Sequence, residues 1–415
     1  MRTMTPLVVL LLVAGSARSE ERNRFADVLA LQEAVHQSIE RAEPSIACVL
    51  VSRSKKYKAH APLRPDEPGR LGRFDLSTVA RSDPDYSALA RLNLSDPNIV
   101  PESYGSGIVI DARLGLILTL AHVVRHATKI YVRLPGGRGS WADVHAADAR
   151  SDLAVLRLID RVPNLKALKL GDGDKLRKGD FLLSLSNPFA AGFSDGSPSA
   201  SWGIVSNLRR RSTGMLSEVE PERRTSRLPL HCFGTLIQTD TRLNLGCSGG
   251  ALLNLQGELV GLTSSLAGIA GGETPGGFAV PLNAPMRRII EVLRQGEEVE
   301  YGFLGVTLMP DNTSEGHVAI DGVLPGGPAL LGGLKGGRSE LILSVNGTPV
   351  HNNDELFLAI GLNLAGSEVR VEAADRAQGA KWIRTVKLAK FPVTIEPVIA
   401  SKRPKPRAGL RVDWS

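Results

Sequence analysis

The sequence predicts a mainly β protein, with a large all-β domain followed by a smaller α/β domain. Between residues 105 and 281, short apolar runs such as GIVIDA, DLAVLRL and ELVGLTSS are separated by turn residues at close spacing. Many short strands at such spacing are typical of a barrel or a sandwich. No helical segments alternate with these runs, so a parallel sheet is not expected. The polar stretch EEVEYG then leads into a second group of strand-like runs around one helical stretch, NDELFLAIGL.

The first 19 residues have the pattern of a secretory signal peptide. Arg2 precedes an apolar run from Leu7 to Gly15, and small residues follow at Ala17 and Ser19. A membrane anchor is the alternative, but the run is about half of the roughly 20 residues that a span needs. We therefore predict a signal peptide over 1–19, a secreted or periplasmic location, and no stable membrane span.

An amphipathic N-terminal helix is expected next, over residues 20–44. Apolar residues follow helical spacing between Arg22 and Ala42, and Pro44 ends the pattern. The large domain then covers 45–296 and opens with the strand-like run SIACVLVSR. It closes with a helix whose apolar residues recur at three- and four-residue steps, namely Met286, Ile289, Ile290 and Leu293.

Composition assigns the remaining segments. Residues 55–103 and 209–229 are polar and rich in proline or arginine, so we expect exposed loops there. The smaller domain covers 303–391 and ends in a hairpin formed by EVRVEAAD and KWIRTVKLAK. The tail, 392–415, is basic and rich in proline, and its last stretch, RAGLRVDWS, is similar to the opening strand of a further small domain.

Composition also excludes some classes of protein. With 415 residues, 42% hydrophobic and 22% charged, the chain is typical of folded globular domains. The net charge of +7 would suit anionic surfaces of the cell envelope or nucleic acid. The sequence contains no nucleic-acid-binding motif, so no nucleic-acid partner is predicted. Cys48, Cys232 and Cys247 are too few for a disulfide framework, and whether two of them pair is left open.

Three separated segments carry the residue types of a serine peptidase. His122 lies in LTLAHVV, Asp152 in RSDLAVLRL and Ser248 in GCSGGAL. Acyl transfer at a peptide bond needs a hydroxyl nucleophile, an imidazole that takes and returns its proton, and a carboxylate that orients the imidazole. Each residue lies at the edge of a predicted strand, where a barrel can bring distant residues together. The glycine-rich turn would also present two backbone N–H groups, of Gly246 and Ser248, to an oxyanion.

Two other chemistries are less consistent with these segments. Cys247 could act as the nucleophile of a cysteine peptidase, but the position directly before the glycine pair belongs to Ser248. A small buried side chain is the better interpretation of Cys247. His122 and His126 have the spacing of two zinc ligands on a helix, but Val123 stands where a zinc peptidase needs glutamate. We therefore expect no metal and no cofactor.

Taken together, the segments GSGIVI, TLAHVV, SDLAVLRL, SNPF, GIVSN, QTD, GCSGGALLNLQGELVGL and GGFAVP resemble the HtrA/Deg family of trypsin-fold proteases. The resemblance runs from about residue 45 to residue 295, and the following domain resembles the PDZ domain of these proteases. It implies a trypsin-like double β-barrel followed by a small PDZ-like α/β domain. His122, Asp152 and Ser248 would form the triad of an ATP-independent endopeptidase acting on misfolded or exposed polypeptides. The family also implies a homo-oligomer, with a trimer as the expected arrangement.

Some residues depart from the family pattern. Asn usually precedes the serine and Pro follows the two glycines, whereas this chain has Cys247 and Ala251. Leu245 stands where proline is common. Arg242 stands near the floor of the specificity pocket of this fold, where it would favour acidic side chains unless it points away. These departures motivate an alternative hypothesis, in which the chain is an inactive protease-fold module that binds peptides or acts as a chaperone.

The resemblance also assigns a peptide site in the smaller domain. YGFLGV matches the PDZ loop whose backbone N–H groups receive a peptide C-terminal carboxylate, here those of Phe303, Leu304, Gly305 and Val306. Leu356 and Ile360, on the predicted helix, would line the pocket for the last side chain of the peptide. The alternative is a PDZ-like domain that serves only as a packing module.

Overall fold

The computed structural model describes residues 7–67, 70–211, 229–265, 277–310, 316–337, 340–391 and 399–402. The stretch RAGLRVDWS and most of the arginine-rich loop 209–229 lie outside these residues. Within the described chain, no helix is long and apolar enough to cross a membrane. The mainly β fold predicted from the sequence is confirmed.

The first half of the large domain is a closed antiparallel barrel. Its strands are β1 (Ile46–Ser52), β2 (Ser103–Asp111), β3 (Leu116–Leu120), β4 (Lys129–Arg133), β5 (Gly139–Asp148) and β6 (Leu153–Leu158). They pair in the order β5-β4-β1-β2-β3-β6, and β5 pairs again with β6 to close the barrel. Strands β1, β3 and β4 are buried along their whole length, which explains the nearly continuous apolar sequences of β1 and β3.

A second closed barrel follows. Its strands are β7 (Phe181–Ser186), β8 (Ser199–Arg210), β9 (Leu236–Thr239), β10 (Ala251–Leu253), β11 (Leu259–Ser264) and β12 (Gly277–Pro281), paired in the order β10-β11-β12-β9-β8-β7. One continuous apolar core joins the facing sides of the two barrels. Two short helices, α2 (Tyr57–His60) and α3 (Tyr86–Ala90), lie in the 55–103 segment. The helices α4 (Ala121–Val124) and α5 (Ala284–Arg294) lie beside the barrels.

The closing helix α5 confirms the sequence pattern. Its four apolar residues, Met286, Ile289, Ile290 and Leu293, are buried in the common core. Asn283 caps the helix by accepting a hydrogen bond from the Met286 N–H, and a proline stands in the first turn, where its missing N–H costs no helical hydrogen bond.

The expectation of an exposed loop over 55–103 is wrong in part. Tyr57, Phe74 and Leu89 from this segment are buried against Tyr131 and Trp141 on the first barrel. The Tyr57 and Phe74 rings pack edge to face with centroids 5.3 Å apart. The few large apolar residues have no regular spacing, so the sequence gives no periodic signal, and the outer face of the barrel supplies the rest of this small core.

The N-terminal helix α1 (Leu7–Ala42) begins earlier than the pattern predicts. Near its end, Val35 and Ile39 pack against the barrel core, and the Ser38 hydroxyl bonds to the carbonyl oxygen of Leu255. Phe25, Val28 and Leu29 are exposed. The described side chains of the helix therefore contact the large domain mainly through its last turns.

The smaller domain has its own core. Its strands are β13 (Gly302–Phe303), β14 (Val306–Leu308), β15 (Val318–Val323), β16 (Glu340–Val345), β17 (Thr348–Pro349), β18 (Glu368–Asp375), β19 (Lys381–Lys387) and β20 (Ala389–Lys390). Its helices are α6 (Pro328–Leu331) and α7 (Asn353–Gly361). The main sheet has the order β14-β15-β16-β18-β19, and the predicted hairpin is the β18–β19 pair.

The described part of the tail returns to the large domain. Strand β21 (Ile399–Ala400) pairs with the outer edge of β5, and the N–H of Ser401 donates to the carbonyl of His145 at 2.9 Å. The chain therefore crosses from the smaller domain back to the first barrel.

Candidate active site

The three predicted catalytic residues stand at the ends of strands in the two barrels. His122 lies in α4, directly after β3, and Asp152 directly precedes β6. These strands are neighbours, with Leu120 paired to Leu153, and the Ala121 N–H donates to the Asp152 carbonyl at 2.8 Å. The two predicted partners, 30 residues apart in the chain, therefore meet at the same edge of the first barrel.

The imidazole of His122 is oriented by Asp152. His122 Nδ1 lies 2.6 Å from Asp152 Oδ2, and the His122 backbone N–H donates to Asp152 Oδ1 at 2.8 Å. A proton on Nδ1 leaves Nε2 free to act as a base. Burial of Asp152 raises the pKa of its carboxyl, but the charge and hydrogen bonds of His122 act more strongly in the opposite direction, so its pKa lies below the usual 3.8. Asp152 is therefore a carboxylate at neutral pH.

The turn that carries Ser248 is fixed from both sides. The Ser106 N–H donates to the Ser248 carbonyl, and the Ser106 hydroxyl donates to the Gly246 carbonyl, each at 2.8 Å. From the second barrel, the Thr263 hydroxyl donates to the Cys247 carbonyl at 2.6 Å. Strands β2 and β11 thus hold the turn where the barrels meet.

These carbonyl contacts leave two N–H groups available. The Gly246 and Ser248 N–H groups form no hydrogen bond with any residue that the structure describes. The Phe189 N–H donates to the Leu245 carbonyl at 2.6 Å, and in a trans peptide the N–H of Gly246 points the opposite way. Gly246 has a φ of 94°, and a Cβ there would lie 2.5 Å from the Asn187 carbonyl oxygen. Glycine is required for this arrangement, which fits the predicted oxyanion donors.

The hydroxyl of Ser248 has a partner that the sequence analysis missed. Ser248 Oγ lies 2.7 Å from Ser265 Oγ, and the Ser265 N–H donates to Ser248 Oγ at 3.0 Å. Among the described residues, Ser248 Oγ has no hydrogen bond with His122. The hydrogen bonds of the Ser248 hydroxyl are therefore with Ser265 rather than with the imidazole in this structure. Ser265 and Ser106 carry no sequence signal beyond their positions near glycine-rich or strand-like segments.

Cys247 is buried, and its Sγ accepts a hydrogen bond from the Asn244 N–H at 3.3 Å. Burial raises the pKa of its thiol above the usual 9.0, so the side chain stays protonated and is a poor nucleophile. All three cysteines are buried free thiols. Within the described ranges, no group of three or more His, Cys, Asp or Glu side chains is placed to hold a metal ion.

Arg242 is exposed, and its backbone N–H donates to the Ser201 hydroxyl at 3.0 Å. The next residue, Leu243, lies against Gly277, where an added Cβ would be 2.2 Å from Leu243 Cδ1. An apolar side chain, rather than the arginine, therefore packs against the strand that follows the 265–277 connection.

The predicted peptide-site residues divide into two groups. Leu304, Leu356 and Ile360 are buried in the core of the smaller domain. Gly305 has a φ of 77°, and Val306 begins β14, which lies at the end of the main sheet and pairs with β15. The predicted peptide-binding loop therefore leads directly into β14. One edge of β14 pairs with β15, and the other edge pairs with no strand that the structure describes.

Two closed barrels with a His–Asp pair and a serine turn between them define a trypsin-like peptidase. The model of the trypsin-like peptidase domain family matches residues 105–262. A probable periplasmic serine protease, do/HhoA-like, of Haemophilus influenzae is 31% identical over 347 residues, which cover 81% of this chain and 68% of that protein. The chain therefore belongs to the HtrA/Deg family of serine proteases.

Other similar proteins are also named as periplasmic serine endoproteases. The periplasmic pH-dependent serine endoprotease DegQ of Escherichia coli K12 is 35% identical over 279 residues, 65% of this chain and 56% of DegQ. The chain spans about half the length of the DegQ and DegP proteins that it matches. Among solved structures, the HtrA-type protease AlgW with a decapeptide has a TM-score of 0.56 at 25% identity, covering 86% of this chain and 98% of AlgW.

Proposed function

We propose that this protein is an exported, ATP-independent serine endopeptidase that cleaves misfolded or exposed polypeptides in the periplasm. One observation carries the proposal: the hydrogen-bonded His122–Asp152 pair lies beside the Ser248 turn, whose N–H groups at Gly246 and Ser248 are unused by the described residues. The two are close because a Cβ on Gly105 would contact both Val123, next to His122, and the Ser248 carbonyl oxygen. The periplasmic location is supported by the predicted signal peptide and by the names of the relatives, which are periplasmic serine proteases.

The proposed reaction follows from these groups. Ser248 Oγ attacks the carbonyl carbon of the scissile peptide bond, and its proton moves to His122 Nε2. The N–H groups of Gly246 and Ser248 receive the oxyanion, where one such donor is worth about 3 kcal/mol in the transition state. His122 then protonates the leaving amine as the C–N bond breaks. Water hydrolyses the resulting ester by the same steps, and Asp152 stabilises the imidazolium in each half-reaction.

A fluorophosphonate probe and an unfolded protein substrate test this proposal. We expect the wild-type protein to be labelled at Ser248 and to cleave the substrate, and Ser248→Ala to do neither while it keeps its thermal unfolding temperature. Cys247→Ala is the matched control, because it changes the adjacent side chain and should keep both activities. A folded wild-type protein that is neither labelled nor active would refute the proposal and support the alternative of an inactive peptide-binding or chaperone-like module.

We also propose that the smaller domain is a PDZ domain that binds peptide C-termini. The free edge of β14 can accept an added peptide strand, and the preceding Phe303–Gly305 segment would supply N–H groups to the carboxylate. The solved AlgW structures with a tripeptide and a decapeptide are consistent with peptide binding in this family. Binding of a fluorescent peptide with a free carboxylate, and its loss when the same peptide is amidated, would support this role. Equal binding of both peptides would contradict it.

The protein is further proposed to form a homo-oligomer, with a trimer as the expected arrangement. The exposed apolar residues of α1, Phe25, Val28 and Leu29, are the surface that such an assembly would cover. Light scattering of the mature protein gives the mass directly. A mass of one chain at micromolar concentration would rule out a stable trimer.

A further inference from the structure

The catalytic Asp152 is the last residue of a short turn, and other residues of this turn contact the smaller domain and the segment between the domains. This turn, residues 148–152, joins β5 to β6. Inside it, the carboxylate of Asp148 accepts hydrogen bonds from the N–H and the hydroxyl of Ser151, with the N–H bond at 2.8 Å. The Tyr301 hydroxyl, from the segment between the domains, donates to the same carboxylate. Burial raises the pKa of the Tyr301 phenol, which therefore remains a donor.

Arg150, at the centre of the turn, is clamped between two aromatic rings. Its guanidinium carbon lies 4.9 Å from the centre of the Tyr301 ring and 4.4 Å from that of Phe391. Phe391 follows the last strand of the smaller domain and packs edge-on against Phe303, with centroids 5.9 Å apart. A partly buried guanidinium on two rings is a strong, directional contact. One residue of the turn is therefore held by the smaller domain and by the segment that leads to it.

The other side of the turn is held by the large domain, at a point where that domain also contacts the smaller one. The Arg150 carbonyl accepts a hydrogen bond from the Leu230 N–H at 2.7 Å, at the start of the 3₁₀ turn Leu230–Phe233. The Phe233 ring packs against Phe357 of α7, with centroids 6.4 Å apart. At the end of α7 the backbone passes close to the guanidinium, because a Cβ on Gly361 would lie 3.0 Å from Arg150 Nη2.

Asp152 itself needs such support. It has a φ of 56°, in the left-handed region that non-glycine residues rarely adopt. Strained conformations of this kind persist where the surroundings fix them. In this conformation both carboxylate oxygens reach His122, one at the imidazole and one at the backbone N–H.

We propose that Arg150 and Tyr301 are positioning residues through which the smaller domain, by its Phe391 ring, holds Asp152 in the geometry that orients His122. This inference rests on the proposed peptidase function for its kinetic readout. It adds to that function a chain of side-chain contacts from Phe391 of the smaller domain, through Arg150, to the turn that ends at Asp152.

Kinetics on a short fluorogenic peptide test the connection, because a short substrate does not need the smaller domain for binding. We expect Arg150→Met to lower kcat at least tenfold with KM within twofold of the wild type. Phe391→Leu should lower kcat severalfold. Phe391→Tyr keeps the aromatic ring, so its kcat should stay close to that of the wild type. Arg157→Met is the matched control, because Arg157 is an exposed arginine on the strand that follows Asp152. It should change kcat by less than twofold.

A spectroscopic measurement separates positioning from a merely structural role. The proton shared by His122 Nδ1 and Asp152 should give a far-downfield NMR signal in the wild type, and Arg150→Met and Phe391→Leu should weaken it while they remain folded by circular dichroism. If both variants fold and keep wild-type kcat and this signal, the proposal is wrong, as it also is if only KM changes. If the wild type does not cleave peptides, the proposed peptidase function fails, and the NMR comparison still decides whether Arg150 positions Asp152.

Discussion

The contact between Ser248 and Ser265 predicts that the hydroxyl of Ser248, the proposed nucleophile, is partly restrained in this structure. Its hydroxyl has two hydrogen bonds to one residue, from the Ser265 N–H at 3.0 Å and with the Ser265 hydroxyl at 2.7 Å. Ser265→Ala removes the second bond and leaves the first. A neutral hydrogen bond contributes about 1 kcal/mol, which corresponds to roughly a fivefold larger population of freed hydroxyl, because 1.4 kcal/mol is a factor of ten. The variant should therefore react about five times faster.

The second-order rate constant of fluorophosphonate labelling measures this effect without a substrate-binding step on the second domain. Ser265→Thr keeps a hydroxyl and should stay near the wild-type rate. Ser201→Ala is a suitable control, because the Ser201 hydroxyl bonds to the Arg242 N–H and not to the nucleophile. An unchanged or lower labelling rate in Ser265→Ala, with the fold intact, would refute the reasoning that Ser265 restrains the nucleophile.

Three further predictions concern the same turn and its partners. Cys247→Ser should keep most activity, and thiol reagents should not inactivate the wild-type protein, because the buried thiol has a raised pKa; rapid inactivation by iodoacetamide would contradict this. Gly249→Ala should lower the free energy of unfolding by about 3 kcal/mol, since Gly249 has a φ of 85° and a Cβ would meet the Ser106 carbonyl oxygen at 2.2 Å. Gly179→Ala, with a φ of 94° and open space, is the urea-unfolding control and should cost about 1 kcal/mol. The pKa of Asp152 is lower in the folded state than its usual 3.8, so its stabilising contribution is present above pH 4 and is lost as the pH falls through the folded value. Asp152→Asn should flatten this part of the stability profile, and an unchanged profile would count against a stabilising contact between Asp152 and His122.

The positions of the proposed catalytic residues could be predicted from the sequence because they follow from strand ends, whereas their roles remain predictions. His122, Asp152 and Ser248 each adjoin an apolar strand, and pairing of β3 with β6 brings the first two together. The sequence was not sufficient for Ser106 or Ser265. Ser106 reaches Gly246 across 140 residues of chain, and no periodic pattern marks a hydrogen bond between a strand and a distant turn.

The burial of residues in the segment 55–103 was not predicted, for a related reason. Its buried residues, such as Tyr57 and Phe74, are widely spaced and follow neither a helical nor a strand period. They are buried because they pack against Tyr131 and Trp141 of the barrel. These partners lie outside the segment, so its own sequence does not indicate the contact. The contacts between Arg150, Tyr301 and Phe391 likewise join residues from both domains, so they become visible only in three dimensions.

The departures from the family pattern around Ser248 bear on whether the site has lost its chemistry. Cys247 and Ala251 are both buried, with Ala251 paired to Leu185 and Leu262 inside the second barrel. Both substitutions therefore face the core and change packing rather than the reacting groups. The carbonyl contacts made by Ser106 and Thr263 remain in place, and the two N–H donors remain unused by the described residues. Because an oxyanion site depends on backbone geometry, these replacements are compatible with catalysis, and the contact with Ser265 is the stronger candidate for a control on activity.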